Sequence, residues 1–273
     1  MGEEVKEVGN SKDGNPGLRL LLCPVMTSEQ FSEFLRDAGL QAGDVVLVHS
    51  SLRAIGPVDG GADGIIDTFL NVLGAGGAEG LLAVPTHTWA TVNDQQPVFH
   101  QRYSPSTVGV LTNVLRERAN AIRSLHPSHS VAAIGKRASE FCAKHELDNT
   151  PCPPMGPYGK LIDWRGKVVL LGVGLTRCTY FHCLEELAEL NDTLAPVAKK
   201  RYLIRNDGSV HESFYHSHVN GRSENFGRSE PELLAAGVMS IHTRGPATVR
   251  IVDAVKARDY LVDRLRTNPK LWL

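Results

Sequence analysis

No two cysteines in this chain are spaced CxxC, so neither a zinc ribbon nor a thioredoxin-type redox motif is available. The five cysteines, Cys23, Cys142, Cys152, Cys178 and Cys183, are odd in number and irregularly spaced. They read as reduced thiols of a cytoplasmic enzyme rather than as a disulfide framework. A surplus of either charge sign is also missing. Lys and Arg total 29 against 30 Asp and Glu, for a formal charge of −1, which argues against a nucleic-acid partner. No apolar run approaches the ~20 residues needed to cross a bilayer, so no membrane partner is expected. Residues Met1 to Gly17 are polar and lack the apolar stretch of a signal peptide; they read as a flexible N-terminal tail. Three phosphate and nucleophile signatures are absent as well. Gly172-Val-Gly174 would need a glycine at Arg177 to complete GxGxxG, and neither a Walker A loop nor a GxSxG elbow occurs.

What is present is an ordinary globular composition. The chain has 273 residues, 42% hydrophobic and 22% charged, enough to bury a substantial core. Thr27-Ser-Glu-Gln30 forms a capping box ahead of Phe31, Phe34 and Leu35 at helical spacing. Asp44 to His49, Leu81 to Val84, Ser130 to Ile134 and Lys167 to Val173 are apolar runs that suit buried strands. Helices are expected over Asp63–Leu73, Val108–Arg118, Ala138–His145 and Thr179–Leu190. Beyond Pro196, Asn206-Asp-Gly208 signals a hairpin between Arg201–Ile204 and Val210–His218. A short helix over Glu230–Ala236, strands around Ile241 and Val249–Val252, and a terminal helix over Val255–Leu265 follow. This order predicts one α/β domain over residues 18–273, an α/β/α sandwich with a central mixed sheet and a C-terminal hairpin-containing portion.

Four groups carry chemistry. His49-Ser-Ser-Leu-Arg53 and Thr86-His-Thr-Trp89 lie just past strands, where open α/β sheets bind ligands. Their hydroxyls suit phosphate oxygens, and equally suit turns and caps. Arg123-Ser-Leu-His-Pro-Ser-His-Ser130 puts a cation, two imidazoles and three hydroxyls before a strand. It fits a pyrophosphate or, alternatively, a turn capped around Pro127. In Thr179-Tyr-Phe-His-Cys-Leu-Glu-Glu186, His182 shares a helix face with Glu185 and Glu186, a candidate general base or a surface pair. His211, His216 and His218 form the fourth group. Residues 216 and 218 would share a strand side, but no further zinc ligand at useful spacing is visible, so no metal is expected.

Taken in order, these segments resemble the aminoglycoside 3-N-acetyltransferase family. The matching pieces are Val46-Leu-Val-His-Ser-Ser-Leu52, Gly60-Gly-Ala-Asp63, Val84-Pro-Thr-His-Thr-Trp89, Arg123 to Ser130, Gly166 to Gly172 and Thr179 to Glu185. The similarity runs from about Thr27 to about Leu265. The resemblance implies an α/β sandwich unrelated to the GNAT acetyltransferases, and acetyl transfer from acetyl-coenzyme A to the 3-amino group of a deoxystreptamine aminoglycoside. It implies coenzyme A contacts from Ser50, Ser51 and Leu52, with Thr86, Ser124, His126 and Ser130 lining the same channel. It also implies His182 as general base, with Glu185 and Thr179 beside it. His87 departs from the aromatic or apolar residue expected there, and Tyr215 to Glu230, which should help form the acceptor site, matches poorly. The competing readings are the same chemistry on a biosynthetic or nucleotide-linked amine, a zinc hydrolase, and a non-catalytic coenzyme A-binding module. Monomer and homodimer both remain open.

Overall fold

The computed structural model describes residues 24–77, 79–190, 192–219 and 221–273. The Met1–Gly17 tail expected from the sequence lies outside them, as does Cys23.

The capping box forms as the sequence predicts. Thr27 Oγ1 accepts from the Gln30 amide at 3.1 Å, and the Thr27 amide donates back to Gln30 Oε1 at 3.0 Å. Helix α1 (Ser28–Asp37) follows. Next come β1 (Val45–Ser50), the single turn α2 (Leu52–Ile55), α3 (Gly61–Leu73), β2 (Leu81–Pro85), β3 (Val98–His100) and α4 (Val110–Glu117). Strands β4 (Ile122–Arg123) and β5 (Val131–Gly135) lead to α5 (Ala138–Cys142), α6 (Pro157–Asp163), β6 (Lys167–Leu171) and α7 (Tyr180–Leu187). The last part holds β7 (Lys199–Ile204), β8 (Val210–Tyr215), α8 (Glu230–Ala235), β9 (Met239–Arg244), β10 (Ala247–Asp253) and α9 (Ala254–Thr267).

Seven strands form the central sheet in the order β4-β5-β2-β1-β6-β10-β9. Strands β2, β1 and β6 are mutually parallel, and every outer neighbour is antiparallel. Side chains alternate across a strand, so β1 feeds two cores. Val45 and Leu47 join one with Phe181, Leu184 and Leu261. Val46 and Val48 join the other with Phe31, Ile66 and Phe69. Covered on both faces, β1, β2 and β6 read as continuous apolar runs rather than as alternating ones. The result is the expected α/β/α sandwich with a mixed sheet.

A separate three-stranded sheet, β3-β7-β8, carries the expected hairpin. Gly208, at φ +83°, closes its turn by donating to the Arg205 carbonyl at 3.0 Å.

Candidate active site

Because β2, β1 and β6 are parallel, their carboxyl ends share one edge of the sheet. Antiparallel β5 brings its preceding turn, residues 126–130, to the same edge, with Pro85 opposite Val131. A cleft of about 910 Å³ opens there, and Ser50, Ser51, His87, Trp89, Thr179 and His182 are among its lining residues. That size suits a small-molecule site.

Gly172 permits the close approach of the β1 and β6 exits. Its φ is +69°, and a Cβ there would lie 2.8 Å from the Ser51 carbonyl oxygen and 2.9 Å from Ile55 Cγ2. Only glycine meets both the backbone conformation and the space.

His182 stands in the first turn of α7. Its Nδ1–H donates to Glu185 Oε2 at 2.6 Å, which leaves Nε2 as the ring's acceptor. Glu185 is fully buried, and a buried carboxylate is tolerated when its oxygens are paired. Arg222, also buried, supplies the second partner, donating from Nε to Glu185 Oε1 at 2.5 Å. Its remaining nitrogens reach the Pro269 carbonyl at 2.9 Å and Asp192 at 3.4 Å.

The next carboxylate on the helix turns to a second imidazole. Glu186 Oε1 lies 3.1 Å from His218 Nε2 and accepts from the Cys152 amide at 3.0 Å, while Glu186 Oε2 meets the Thr150 hydroxyl at 2.5 Å. Burial outweighs these bonds and pushes the Glu186 carboxyl up to about 8. The His218 ring stacks on His182 with centroids 4.0 Å apart. Burial, with His182 close by, holds His218 well below the usual histidine range.

More imidazoles surround this pair. His87 bonds the Tyr158 hydroxyl at 3.0 Å, and that hydroxyl donates to the His129 carbonyl at 3.2 Å. Desolvation keeps His87 and His129 well below the usual value and holds His49 down at about 3.

Ser50, Ser51, Thr179 and His182 all line the cleft. Leu52, Thr86, Ser124, His126 and Ser130 are not among its lining residues. Thr86 and Ser130 share a 2.9 Å hydroxyl contact, and both accept from Arg123 Nε at 3.1 Å. Arg123 is itself spent on the carbonyls of Thr86, Gln101 and Ser104, and burial holds it down at about 9. His126 Nδ1 accepts from the Ser128 and His129 amides, so it caps the turn around Pro127. Ser124 bonds His145 and the Val131 amide. The helix-start amides are occupied too, with Phe181 donating to the Cys178 carbonyl and His182 to the Thr179 carbonyl.

The three-histidine group does not assemble. β8 ends at Tyr215, His216 bonds the Ala195 carbonyl, and His218 goes to Glu186. Among the described residues, the potential ligand atoms that converge are instead those of Cys152, Glu186 and His218, within 4.8 Å of one another. Burial pushes the Cys152 thiol well above its usual range. The sequence names His87, His129 and His218 within its candidate groups without placing them beside His182, and it does not name Arg222. Arg222 lies 37 residues from Glu185, and no local pattern signals such a contact.

The family model for aminoglycoside 3-N-acetyltransferases matches residues 47–266. The chain belongs to the aminoglycoside 3-N-acetyltransferase family. Aminoglycoside N(3)-acetyltransferase IX of Micromonospora chalcea is 30% identical over 272 residues, covering 90% of this chain and 95% of that protein. The crystal structure of a histidine-to-alanine variant of AAC(3)-IVa in complex with a gentamicin superposes with a TM-score of 0.79. It is 25% identical and covers 93% of each chain. The aminoglycoside acetyltransferase AAC(3)-Xa gives a TM-score of 0.76 at 27% identity, over 91% of this chain and 95% of that one. No described helix is long and apolar enough to cross a membrane.

Proposed function

We propose that this chain transfers the acetyl group of acetyl-coenzyme A directly to the 3-amino group of a deoxystreptamine aminoglycoside, with His182 as general base, in the cytoplasm. Family membership supports the reaction class. The observation that carries the mechanism is the chain His182–Glu185–Arg222, whose free end, Nε2, belongs to a cleft-lining residue.

An amine titrates near ~10.4 and first gives up one proton to solvent to become a nucleophile. As its nitrogen attacks the thioester carbonyl, the second proton passes to His182 Nε2. Carbon–sulfur cleavage expels a thiolate, which takes that proton. Glu185 fixes the tautomer with Nε2 unprotonated and balances the imidazolium that forms. The Thr179 hydroxyl, at the helix start, is the donor we assign to the developing oxyanion. Ser50 and Ser51 contact coenzyme A directly, and Leu52, Thr86, Ser124, His126 and Ser130 support the channel wall.

No enzyme nucleophile and no metal enter this scheme. Burial pushes the Cys178 thiol to about 12 and the Cys183 thiol well above its usual range, so neither is poised as a thiolate. Both Glu186 oxygens are already engaged.

One observation favours an acceptor of lower positive charge. The described cleft residues include Arg177, Lys199 and Arg201 against Asp94 and Glu224, and Arg201 pairs Asp94 at 2.6 Å. A nucleotide-linked amine suits that balance.

The test is an acetyl-coenzyme A assay against a panel of amines, with product regiochemistry by NMR. His182→Ala should lower kcat by about 10²–10⁴-fold while coenzyme A still binds. Turnover near that of the unmodified enzyme removes His182 from the mechanism.

A further inference from the structure

We propose that His218 is a positioning residue for His182, a ring held by Glu186 that fixes the orientation of the base. The proposal rests on the reading of His182 as base. The bond from His182 Nδ1 to Glu185 fixes one ring atom at 2.6 Å but leaves the tilt of the ring plane to its packing. Two ring contacts set that tilt. His218 lies against one face, with centroids 4.0 Å apart and planes inclined by 22°. Phe226 meets the ring edge-on at 5.0 Å and 62°.

His218 is itself fixed. Its Nε2 pairs with Glu186 Oε1, and Glu186 is pinned by the Thr150 hydroxyl and the Cys152 amide. His129 abuts the ring perpendicularly at 5.4 Å. Consecutive carboxylates of α7 therefore each orient one member of a stacked imidazole pair. Such precision matters because a base turned more than about 10–20° from its productive direction loses much of its effect. When His182 takes a proton it becomes a cation, which an aromatic face attracts and a second charge at 4.0 Å would repel.

The test compares His218→Ala, His218→Phe and His182→Ala by steady-state kinetics with acetyl-coenzyme A and an apramycin-type aminoglycoside, with coenzyme A affinity by calorimetry. His218→Ala should lower kcat by about 10–100-fold while KM for acetyl-coenzyme A and coenzyme A affinity stay unchanged. His218→Phe, which restores a flat neutral face, should recover most of the lost kcat. Unimpaired kcat in His218→Ala overturns the proposal. So does a phenylalanine variant as slow as the alanine one, because the ring face is then not what counts. The His182→Ala arm separates the two readings. If that variant turns over normally, the base assignment fails; if it is inactive while His218→Ala is unimpaired, only the positioning role fails. A measurement on the unmodified protein covers misfolding of the variants. The His182 Cε1–H resonance should carry an upfield ring-current shift, and a position typical of an unstacked histidine overturns the stack.

Discussion

Arg222 donates to Glu185 from a distance of 37 residues along the chain, and both side chains are buried. The contact joins the segment after β8 to the helix that carries the base. It has a structural and a chemical consequence. Removing the guanidinium leaves Glu185 buried beside His182 alone. Breaking such a pair costs about 3–5 kcal/mol, so Arg222→Met should lower the urea midpoint by a corresponding amount. Glu185→Gln keeps the volume and an acceptor oxygen but removes the charge that balances the imidazolium. Its kcat should fall by about 10²-fold or more, with coenzyme A affinity intact. Full activity in Glu185→Gln would show that the carboxylate charge does not assist the base.

Gly172 gives a second prediction. Gly172→Ala forces a left-handed backbone on alanine, costing about 1–3 kcal/mol, and adds the clash with the Ser51 carbonyl. The β1 and β6 exits must then separate, which should raise KM for acetyl-coenzyme A as well as lower stability. A melt and a KM both matching the unmodified enzyme would refute the close-approach argument.

The cysteines supply a third. Cys178 borders the cleft and Cys183 sits in the core. With both thiols kept protonated by burial, Cys178→Ala and Cys183→Ala should retain kcat, and mass spectrometry during turnover should find no acetylated protein. Loss of kcat in either variant, together with a trapped acetyl-enzyme, would establish a covalent route.

These sites differ in how visible they are in the sequence. The capping box at Thr27 and the apolar runs of β1, β2 and β6 follow from contacts within a few residues or from burial on both faces, so they are legible. Helix α6 is not, because Pro157 and Gly159 interrupt any helical pattern and its order comes from tertiary packing of Tyr158. Strands β3 and β4 are too short to carry a period. The His182–Glu185 spacing is readable as a shared helix face. Arg222 and His218 reach the same helix from a loop that has no periodicity at all. Thr86 and Ser130 show the converse limit. Their polarity marks them as engaged, but only the position of Arg123 decides that they bond inward.

The buried imidazoles and Glu186 set opposing pH dependences. In the folded chain, burial holds His49 at about 3 and His145 at about 4, and keeps His87, His126, His129 and His218 below the usual value too. An unfolded histidine titrates near ~6.5. Below that pH the unfolded chain binds protons that the folded chain refuses, so stability falls with acid. The slope is up to about 1.4 kcal/mol per pH unit for each group. Glu186 acts in the other direction, at about 8 folded against 4.5 for the free carboxyl. Its contribution is present below the unfolded value and is lost as pH rises through the folded one. Between about 4.5 and 6.5 the histidines outnumber the single glutamate and dominate. Their slope fades over the unit above the unfolded histidine value, and beyond about pH 7.5 the slope of Glu186 outweighs theirs. The melting temperature should therefore peak a little above pH ~7, falling steeply on the acid side and gently on the alkaline side. Glu186→Gln should flatten the alkaline side up to about pH 8 and, by removing the opposing contribution, make the acid side somewhat steeper above about pH 4.5. Calorimetric scans of both proteins across this range decide the matter. A melting temperature level down to about pH 4.5, or an alkaline decline that survives in Glu186→Gln, contradicts this assignment of the charges.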